Sequence, residues 1–396
     1  MNYVKQTVTD VSVKGKRVLL RCDFNVPLDK STNRITDDNR IIASLPTIRY
    51  LLEQGARVII CSHLGRPKGK IVPEMSLLPC AQRLSALLDK YIPLVNDITG
   101  EYALKMSESL KNGGVMMLEN LRFYPEEEQN DPEFAKKLAA LADIYVSDAF
   151  GAAHRAHAST AGVAQYLPAY AGLLIDKELS AIGDAINNPK RPFVAILGGS
   201  KISDKLGVIR NLLNKADKII IGGGMAYTFI KARGGSIGNS ICDEEKLQYC
   251  KEVLDLSLEK GVEILLPEDS RIAAEINAPE FTVAPSGKIP DGLAGFDIGP
   301  TAEGMICRIV ADAKTIIWNG PMGAFEFAPF SGGTQAVTHC VADSGAITIV
   351  GGGDSAAAVR KFGLEHKMTH VSTGGGATLE FMEGRVLPGI ACLLDK

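Results

Sequence analysis

The stretch ITIVGGGDS, residues 347–355, sets a run of β-branched residues directly before three glycines, an acid and a hydroxyl. A buried parallel strand delivers the backbone to the carboxyl edge of a sheet in this way. Glycine lets the chain approach phosphate oxygens, and a following helix offers free N–H groups and the positive end of its dipole. The layout recurs in AILGGSK (195–201), IIIGGGM (219–225) and HVSTGGGA (370–377). Four such turns within about 180 residues predict a parallel α/β sheet with a nucleotide site at its carboxyl edge. No GxxxxGK[ST] occurs, so the site is not of the Walker type.

Outward from these turns, apolar runs rich in Val and Ile alternate with amphipathic stretches, the pattern of βαβ units. In the first half strands are expected at 17–22, 57–62, 115–119 and 144–147, with helices at 41–54 and 132–142. Asp131 caps the second helix and Pro132 occupies its first turn. The second half has strands at 193–197, 218–221, 263–266, 315–318, 347–350 and 370–372, and its longest helix at 243–260. Both halves read as doubly wound, Rossmann-like parallel sheets, with sites beyond the carboxyl ends of the strands. The helical pattern 173–188, closed by Asn187-Asn188-Pro189, is the expected hinge between a domain 1–172 and a domain 189–381.

Composition agrees. A chain of 396 residues is long for one core, and 46% apolar with 22% charged residues is the balance of a globular protein. A formal charge of −3, with no long run of like charge, points away from nucleic acid. No stretch approaches the ~20 apolar residues of a membrane span and no leader pattern opens the chain, so a cytoplasmic setting is expected. The eight cysteines are scattered without a CxxC pair, several within apolar runs, and read as buried reduced thiols.

In the first half the positions after strands carry cations and short polar groups. Asp23 and Asn25 follow the first strand, with Arg40 opening the next helix; His63 and Arg66 follow the second, Arg122 the third and Arg155 the fourth. In a parallel sheet Arg40, His63, Arg66, Arg122 and Arg155 meet at one edge and suit a small, strongly anionic ligand. Any one of these arginines alone reads as a solvated charge; four of them with His63 at equivalent topological positions do not. His154 and His157 lack a third metal-ligating partner and read as hydrogen-bonding groups. His339, His366 and His370 have no recognisable partners, and Trp318 reads as core or pocket wall.

In the second half Lys201 and Lys205 are spaced to face a polyphosphate together. Gly352 and Gly353 allow close backbone approach, Asp354 is a hard oxygen ligand suited to Mg²⁺, and Ser355 is a candidate helix cap. Asn319 and Glu326 lie on a loop after a strand, where a carboxylate either takes ribose hydroxyls or stabilises the loop.

RCDFNVP, DDNRI, SHLGRP, ENLRF, DAFGAAHRAHAS, LGGSKISDK, WNGPMGAFE, GGGDSAAA and STGGGA occur in this order from end to end, and together they resemble the phosphoglycerate kinase family. The resemblance implies a two-lobed monomer with 3-phosphoglycerate or 1,3-bisphosphoglycerate on the N-terminal lobe and Mg-ADP or Mg-ATP on the C-terminal lobe. It also implies that residues 382–396 pack back on the first lobe. By position, Asp23, Asn25 and Arg40 resemble contacts to the glycerate end, and His63, Arg66, Arg122 and Arg155 contacts to the non-transferred phosphate. Phe24, Leu64 and Gly65 lie within the same substrate motifs. Lys205, Gly295, Asn319, Glu326, Gly352, Gly353, Asp354 and Ser355 resemble nucleotide contacts, with Lys201 reaching the phosphates. Ser200 stands where the family commonly has alanine and Ala324 where valine is usual; neither supplies a catalytic group.

The implied reaction is direct transfer with hinge closure and no covalent intermediate, so no general base is needed. Arg40, Lys205, Mg²⁺ on Asp354 and the N–H groups of Gly374, Gly375 and Gly376 are expected to neutralise the transferring group. A nicotinamide-dependent dehydrogenase is disfavoured because no GxGxxG opens a βαβ unit with an acid about 20 residues on. A silent nucleotide binder of the same fold is disfavoured by Arg40, Lys205 and Asp354.

Overall fold

The computed structural model describes residues 4–396; the first three residues of the expected domain 1–172 lie outside the described residues. The chain divides into two compact units, one running up to Ser180 and taking in Val386–Lys396, the other Ala181–Arg385. The division falls inside the helix Leu173–Asn187.

The first unit is built on six parallel strands: β1 (Arg17–Cys22), β2 (Arg57–Cys61), β3 (Leu94–Val95), β4 (Val115–Leu118), β5 (Ile144–Asp148) and β6 (Ala169–Ala171), in the order β3-β4-β2-β1-β5-β6. Helices cover both faces of such a sheet, which is why its strands are apolar without alternation. Val18, Leu20, Val58, Ile60, Met117 and Val146 pack in one core with Ile41, Ile48 and Leu84 from the helices. Asp131 caps the helix Pro132–Ala139 by accepting the Phe134 N–H at 2.8 Å. The chain's end belongs to this unit: the Gly389 N–H donates to the Ala153 carbonyl at 2.8 Å, and Lys5 pairs with Asp395 at 2.7 Å.

The second unit holds β7 (Phe193–Leu197), β8 (Lys218–Ile221), β9 (Ser236–Ile237), β10 (Glu263–Leu265), β11 (Asp269–Ala273), β12 (Thr282–Pro285), β13 (Lys288–Ile289), β14 (Ala294–Ile298), β15 (Thr315–Asn319), β16 (Ile347–Gly351) and β17 (His370–Val371). Six of them form a parallel sheet in the order β10-β8-β7-β15-β16-β17. An antiparallel sheet β12-β11-β14 and the pair β13-β9 stand apart from it. Trp318 is fully buried in the core under the main sheet.

The fold class is the expected one, α/β with two doubly wound parallel sheets. The sequence reading omitted β3, β6, β9 and the strands β11 to β14. The first two are only two and three residues long, and DSRIA of β11 carries too much charge to read as a strand. The expectation of eight reduced thiols is overturned. Cys307 on the helix Pro300–Asp312 and Cys340 on the helix Gly332–Asp343 form a disulfide; the other six are free. Chain spacing concealed this pair because packing of the two helices, not sequence proximity, brings the sulfurs together.

Candidate active site

All six strands of the first unit point the same way, so their following residues gather at one edge. Asn120, after β4, fastens two of these loops: its Oδ1 accepts the Leu64 and Arg122 N–H groups at 3.3 and 3.1 Å, and its Nδ2 donates to the Leu64 and Met75 carbonyls at 2.8 Å each. Gly65 donates its N–H to Asn25 Oδ1 at 2.8 Å and accepts Arg122 Nη1 at 2.8 Å. Arg122 is thereby pinned while buried; its Nε lies 3.3 Å from Glu128, and its Nη2 has no hydrogen-bond partner among the described residues. Burial and the neighbouring Arg155 lower its pKa to about 10, which leaves it charged at neutral pH.

The histidines behave oppositely. Burial, with Arg21 and then Arg122, Arg155 and Arg40 nearby, holds His63 well below its ordinary value; burial and Arg122, Arg21 and Arg155 push His157 down to about 3. Both rings are neutral among fixed guanidinium charges. Arg155 donates its Nε to His154 Nε2 at 3.2 Å, and Arg40 is paired with Asp23. Arg66 is exposed, and its guanidinium makes no hydrogen bond or ion pair with the described residues. An edge with this surplus of held positive charge favours a compact polyanion.

Two substrate-motif residues play structural parts. The Phe24 ring is fully buried in the core and its N–H is committed to Ser62 Oγ at 2.8 Å. Leu64 is buried with both backbone groups held by Asn120. Neither side chain is placed to meet a ligand.

In the second unit a cavity of about 260 Å³ is lined by Gly199, Ser200, Lys201, Asp204, Lys205, Asn319, Gly320, Gly352, Gly353, Asp354, Ser355, Gly375, Gly376 and Leu379. Lys205 is buried and donates to Asn319 Oδ1 at 2.5 Å; burial lowers its pKa against the pull of Asp204 and Asp354. Asn319 Nδ2 has no hydrogen-bond partner among the described residues. A donor left without an acceptor beside a lysine is a place for anionic oxygen. Gly353 and Gly375 have open space where a side chain would project.

Gly295, Glu326 and Gly374 do not line this cavity. Gly295 lies in β14, where a Cβ would collide with the Tyr227 hydroxyl, and its N–H donates to Ser240 Oγ at 2.9 Å. The Gly374 N–H is committed to Ser372 Oγ at 3.1 Å, so it is not free for a transferring group. Ser355 is not a cap: its hydroxyl accepts the Gly320 N–H at 2.5 Å, and Gly352 holds the cap position of the helix Gly353–Lys361. The glycines of IIIGGGM are also absent from the lining; a Cβ on Gly223 would meet the Gly199 backbone at 2.6 Å, so this glycine serves close packing of two loops.

A family model described as phosphoglycerate kinase matches residues 8–385. The chain belongs to the phosphoglycerate kinase family. It is 56% identical over 398 residues to the phosphoglycerate kinase of Clostridium botulinum (strain Alaska E43 / Type E3), and 55% identical over 399 residues to that of Clostridium perfringens (strain 13 / Type A), covering 100% of each pair of chains. Among solved structures, phosphoglycerate kinase from Coxiella burnetii is similar at a TM-score of 0.89 and 44% identity, and that from Pyrococcus horikoshii OT3 at 0.85 and 34%, each covering 98% of both chains. As a phosphoglycerate kinase the chain is an ATP-using phosphotransferase of glycolysis with a carboxyl group as acceptor. The dehydrogenase alternative finds no support in these matches.

Arg21, Glu127 and Ser159 are buried together behind the cationic edge; Arg21 opens the motif RCDFNVP and Ser159 closes DAFGAAHRAHAS, yet the sequence reading gave none of the three a role. Arg21 carried a signal, a charge inside the apolar strand RVLLRC. Ser159 carried only its place at the end of the histidine motif, and Glu127, in the run PEEE, carried none.

Proposed function

We propose that the cationic edge of the first unit holds 3-phosphoglycerate or 1,3-bisphosphoglycerate and that the cavity of the second holds the phosphates of ADP or ATP. The observation that carries this reading is Arg122, a buried charged guanidinium with one nitrogen left without a partner. It is matched in the other unit by Lys205 and Asn319 beside open glycine backbone. His63, Arg66, Arg122 and Arg155 take the non-transferred phosphate; Asp23, Asn25 and Arg40 take the glycerate end. Arg40 must leave Asp23 in part to reach a ligand, so the pair holds the guanidinium in place until substrate arrives.

The attacking oxygen is already ionised in either direction, a carboxylate or a terminal phosphate, so no side chain takes a proton. Positioning and charge neutralisation do the work. Arg40 and Lys205 are the cations contributed by the two units, with the N–H groups of Gly375 and Gly376 lining the phosphate cavity. No group of three metal-ligating side chains occurs among the described residues, whereas Asp354 and Asp204 line the cavity. That set fits Mg²⁺ held by one carboxylate, phosphate oxygens and water, with Asp354 as the protein ligand. When bound, Mg²⁺ neutralises charge on the phosphate oxygens. Direct transfer requires the ligands of the two units to meet, which makes hinge closure part of the cycle. The ligand sets need no second copy, and no helix among the described residues is long and apolar enough to cross a membrane. We place the chain in the cytoplasm as a monomer acting on small molecules.

Steady-state turnover with ATP, Mg²⁺ and 3-phosphoglycerate, coupled to NADH oxidation, tests the reading. Turnover dependent on both metal and acceptor is expected. Turnover that survives both EDTA and omission of 3-phosphoglycerate would overturn it.

A further inference from the structure

Behind His63 lies a chain of buried polar contacts that no substrate contact requires. The Arg21 guanidinium, 1% exposed, is engaged on all its nitrogens: Nε donates to Ser159 Oγ at 2.8 Å, Nη1 to the Cys22 carbonyl, and Nη2 faces His63 Nδ1 at 3.1 Å. Ser159 is held in turn by Glu127, which accepts its N–H at 2.9 Å and its hydroxyl at 2.5 Å. Glu127 is fully buried, and its second neighbour is His157 at 3.8 Å. The directions of these bonds are fixed by chemistry. A carboxylate only accepts, so the Ser159 proton points to Glu127 and its lone pairs to Arg21. A guanidinium only donates, so His63 Nδ1 is the acceptor and carries no proton.

We infer that Glu127 and Ser159 are positioning residues which, through Arg21, hold His63 as a neutral imidazole with its proton on Nε2. A hydrogen-bond donor, not another cation, is thus presented to the anionic substrate. The inference rests on the assignment of His63 to phosphoglycerate. Burial and the four surrounding arginines disfavour the charged ring, in the same direction. The arrangement also gives Arg21 a buried counter-charge at one remove, because Glu127 reaches it across Ser159. Direct pairing would turn the guanidinium away from His63; the intervening hydroxyl keeps its plane toward the ring.

The test is ¹⁵N spectroscopy of the full-length protein labelled at histidine, with His63 assigned from a His63→Gln spectrum. Native His63 should show an unprotonated Nδ1 and a protonated Nε2. A protonated Nδ1 overturns the relay without any variant. In Ser159→Ala the Nδ1 and Nε2 resonances should move toward exchange between tautomers, and KM for 3-phosphoglycerate should rise about tenfold. KM for ATP should hold, and Ser159→Thr should restore both readouts. A purely structural role would lower the melting temperature and leave the His63 nitrogens unmoved. Moved nitrogens with an unchanged KM for 3-phosphoglycerate would instead overturn the assignment of His63 to the substrate.

Discussion

The two units arrange six parallel strands almost alike and use the resulting edge in opposite ways. Counted in chain order, the main sheet of the second unit runs three-two-one-four-five-six, whereas in the first unit the fourth strand lies between the third and the second. In both sheets the strand order reverses beside the first strand, at β1/β5 and at β7/β15. At that point the first unit presents side-chain cations on loops fastened by Asn120. The second presents backbone, one buried lysine and an amide nitrogen, Asn319 Nδ2, without a hydrogen-bond partner among the described residues. A compact anion is best met by guanidinium forks converging from several loops; an extended polyphosphate is best met by a chain that leaves room for it. On the proposed assignment, the same topology serves two ligand shapes through the choice of residue after each strand.

On the proposed assignment, the largest effects should come from removing the cation that each unit offers to the transferring group. Arg40→Ala and Lys205→Ala should each lower kcat by roughly 10³ with much smaller changes in KM, because the charge they neutralise develops in transfer. Steady-state kinetics with both substrates varied decides the matter. A loss confined to KM in either variant would reduce that residue to a binding group and break the symmetry of the two units.

The buried carboxylates sharpen the contrast. Burial pushes both Asp148 and Asp297 up to about 7. Asp297 lies 3.0 Å from Arg271 Nη1 and accepts the Gly333 and Ile298 N–H groups at 2.7 and 3.0 Å. Asp148 has no cation: its Oδ1 accepts the Leu174 and Ile175 N–H groups, and its Oδ2 has no hydrogen-bond partner among the described residues. A raised folded-state pKa means that the folded protein keeps a proton the unfolded chain releases near pH 4. This stabilisation is complete below about pH 4 and is lost as the pH rises through about 7, by on the order of 4 kcal/mol at most. Asp148→Asn should therefore flatten the pH dependence of urea unfolding between pH 5 and 8. Asp297→Asn removes an equally raised carboxyl and should flatten the same window, and it should also destabilise by about 3 kcal/mol because Glu303 is then the one carboxylate left to Arg271. Fluorescence of the single tryptophan, Trp318, follows the second unit, while circular dichroism follows both. An Asp148→Asn slope equal to the native one would refute the assignment.

Glycines that look alike in sequence should separate by about 3 kcal/mol. A Cβ on Gly223 would lie 2.6 Å from the Gly199 backbone nitrogen, whereas one on Gly353 would meet nothing within 4 Å. Gly223→Ala is expected to cost about 3 kcal/mol or more in unfolding. Gly353→Ala should stay within about 0.5 kcal/mol and raise KM for ATP about tenfold, since the methyl projects where phosphate would lie. Equal melting temperatures for the two variants would show that the division between packing and phosphate glycines is misdrawn.

That division was not legible in the sequence, where all four clusters follow strands. The ten expected strands, all in the two parallel sheets, were legible to within a residue or two because helices bury both their faces, leaving runs such as RVIIC and TIIWN with no polar alternation. The cations at strand ends were legible because topology alone gathers them. Glu127 and Ser159 were not, since one sits in an acidic run that reads as a solvated face and the other beyond the histidine loop. Their contact exists only once the sheet has brought Arg21 between them and His63. Cys307 and Cys340 were hidden for the same reason, a contact made by packed helices.

The smallest effects belong to the exposed residues at the margin of each site. Arg66 and Glu326 are both exposed and make no side-chain hydrogen bond or ion pair with the described residues, so their removal should leave the fold untouched. Arg66→Ala should raise KM for 3-phosphoglycerate about tenfold, the loss of one charge-assisted contact, and leave KM for ATP alone. Glu326 lies outside the phosphate cavity, so on the proposed assignment it meets a distal part of the nucleotide, and Glu326→Ala should raise KM for ATP about threefold with KM for 3-phosphoglycerate unchanged. The informative outcome is a crossed effect. If Arg66→Ala weakened ATP, the cations of the first unit would be reading the nucleotide, and the assignment of one ligand to each unit would fail at its most exposed point.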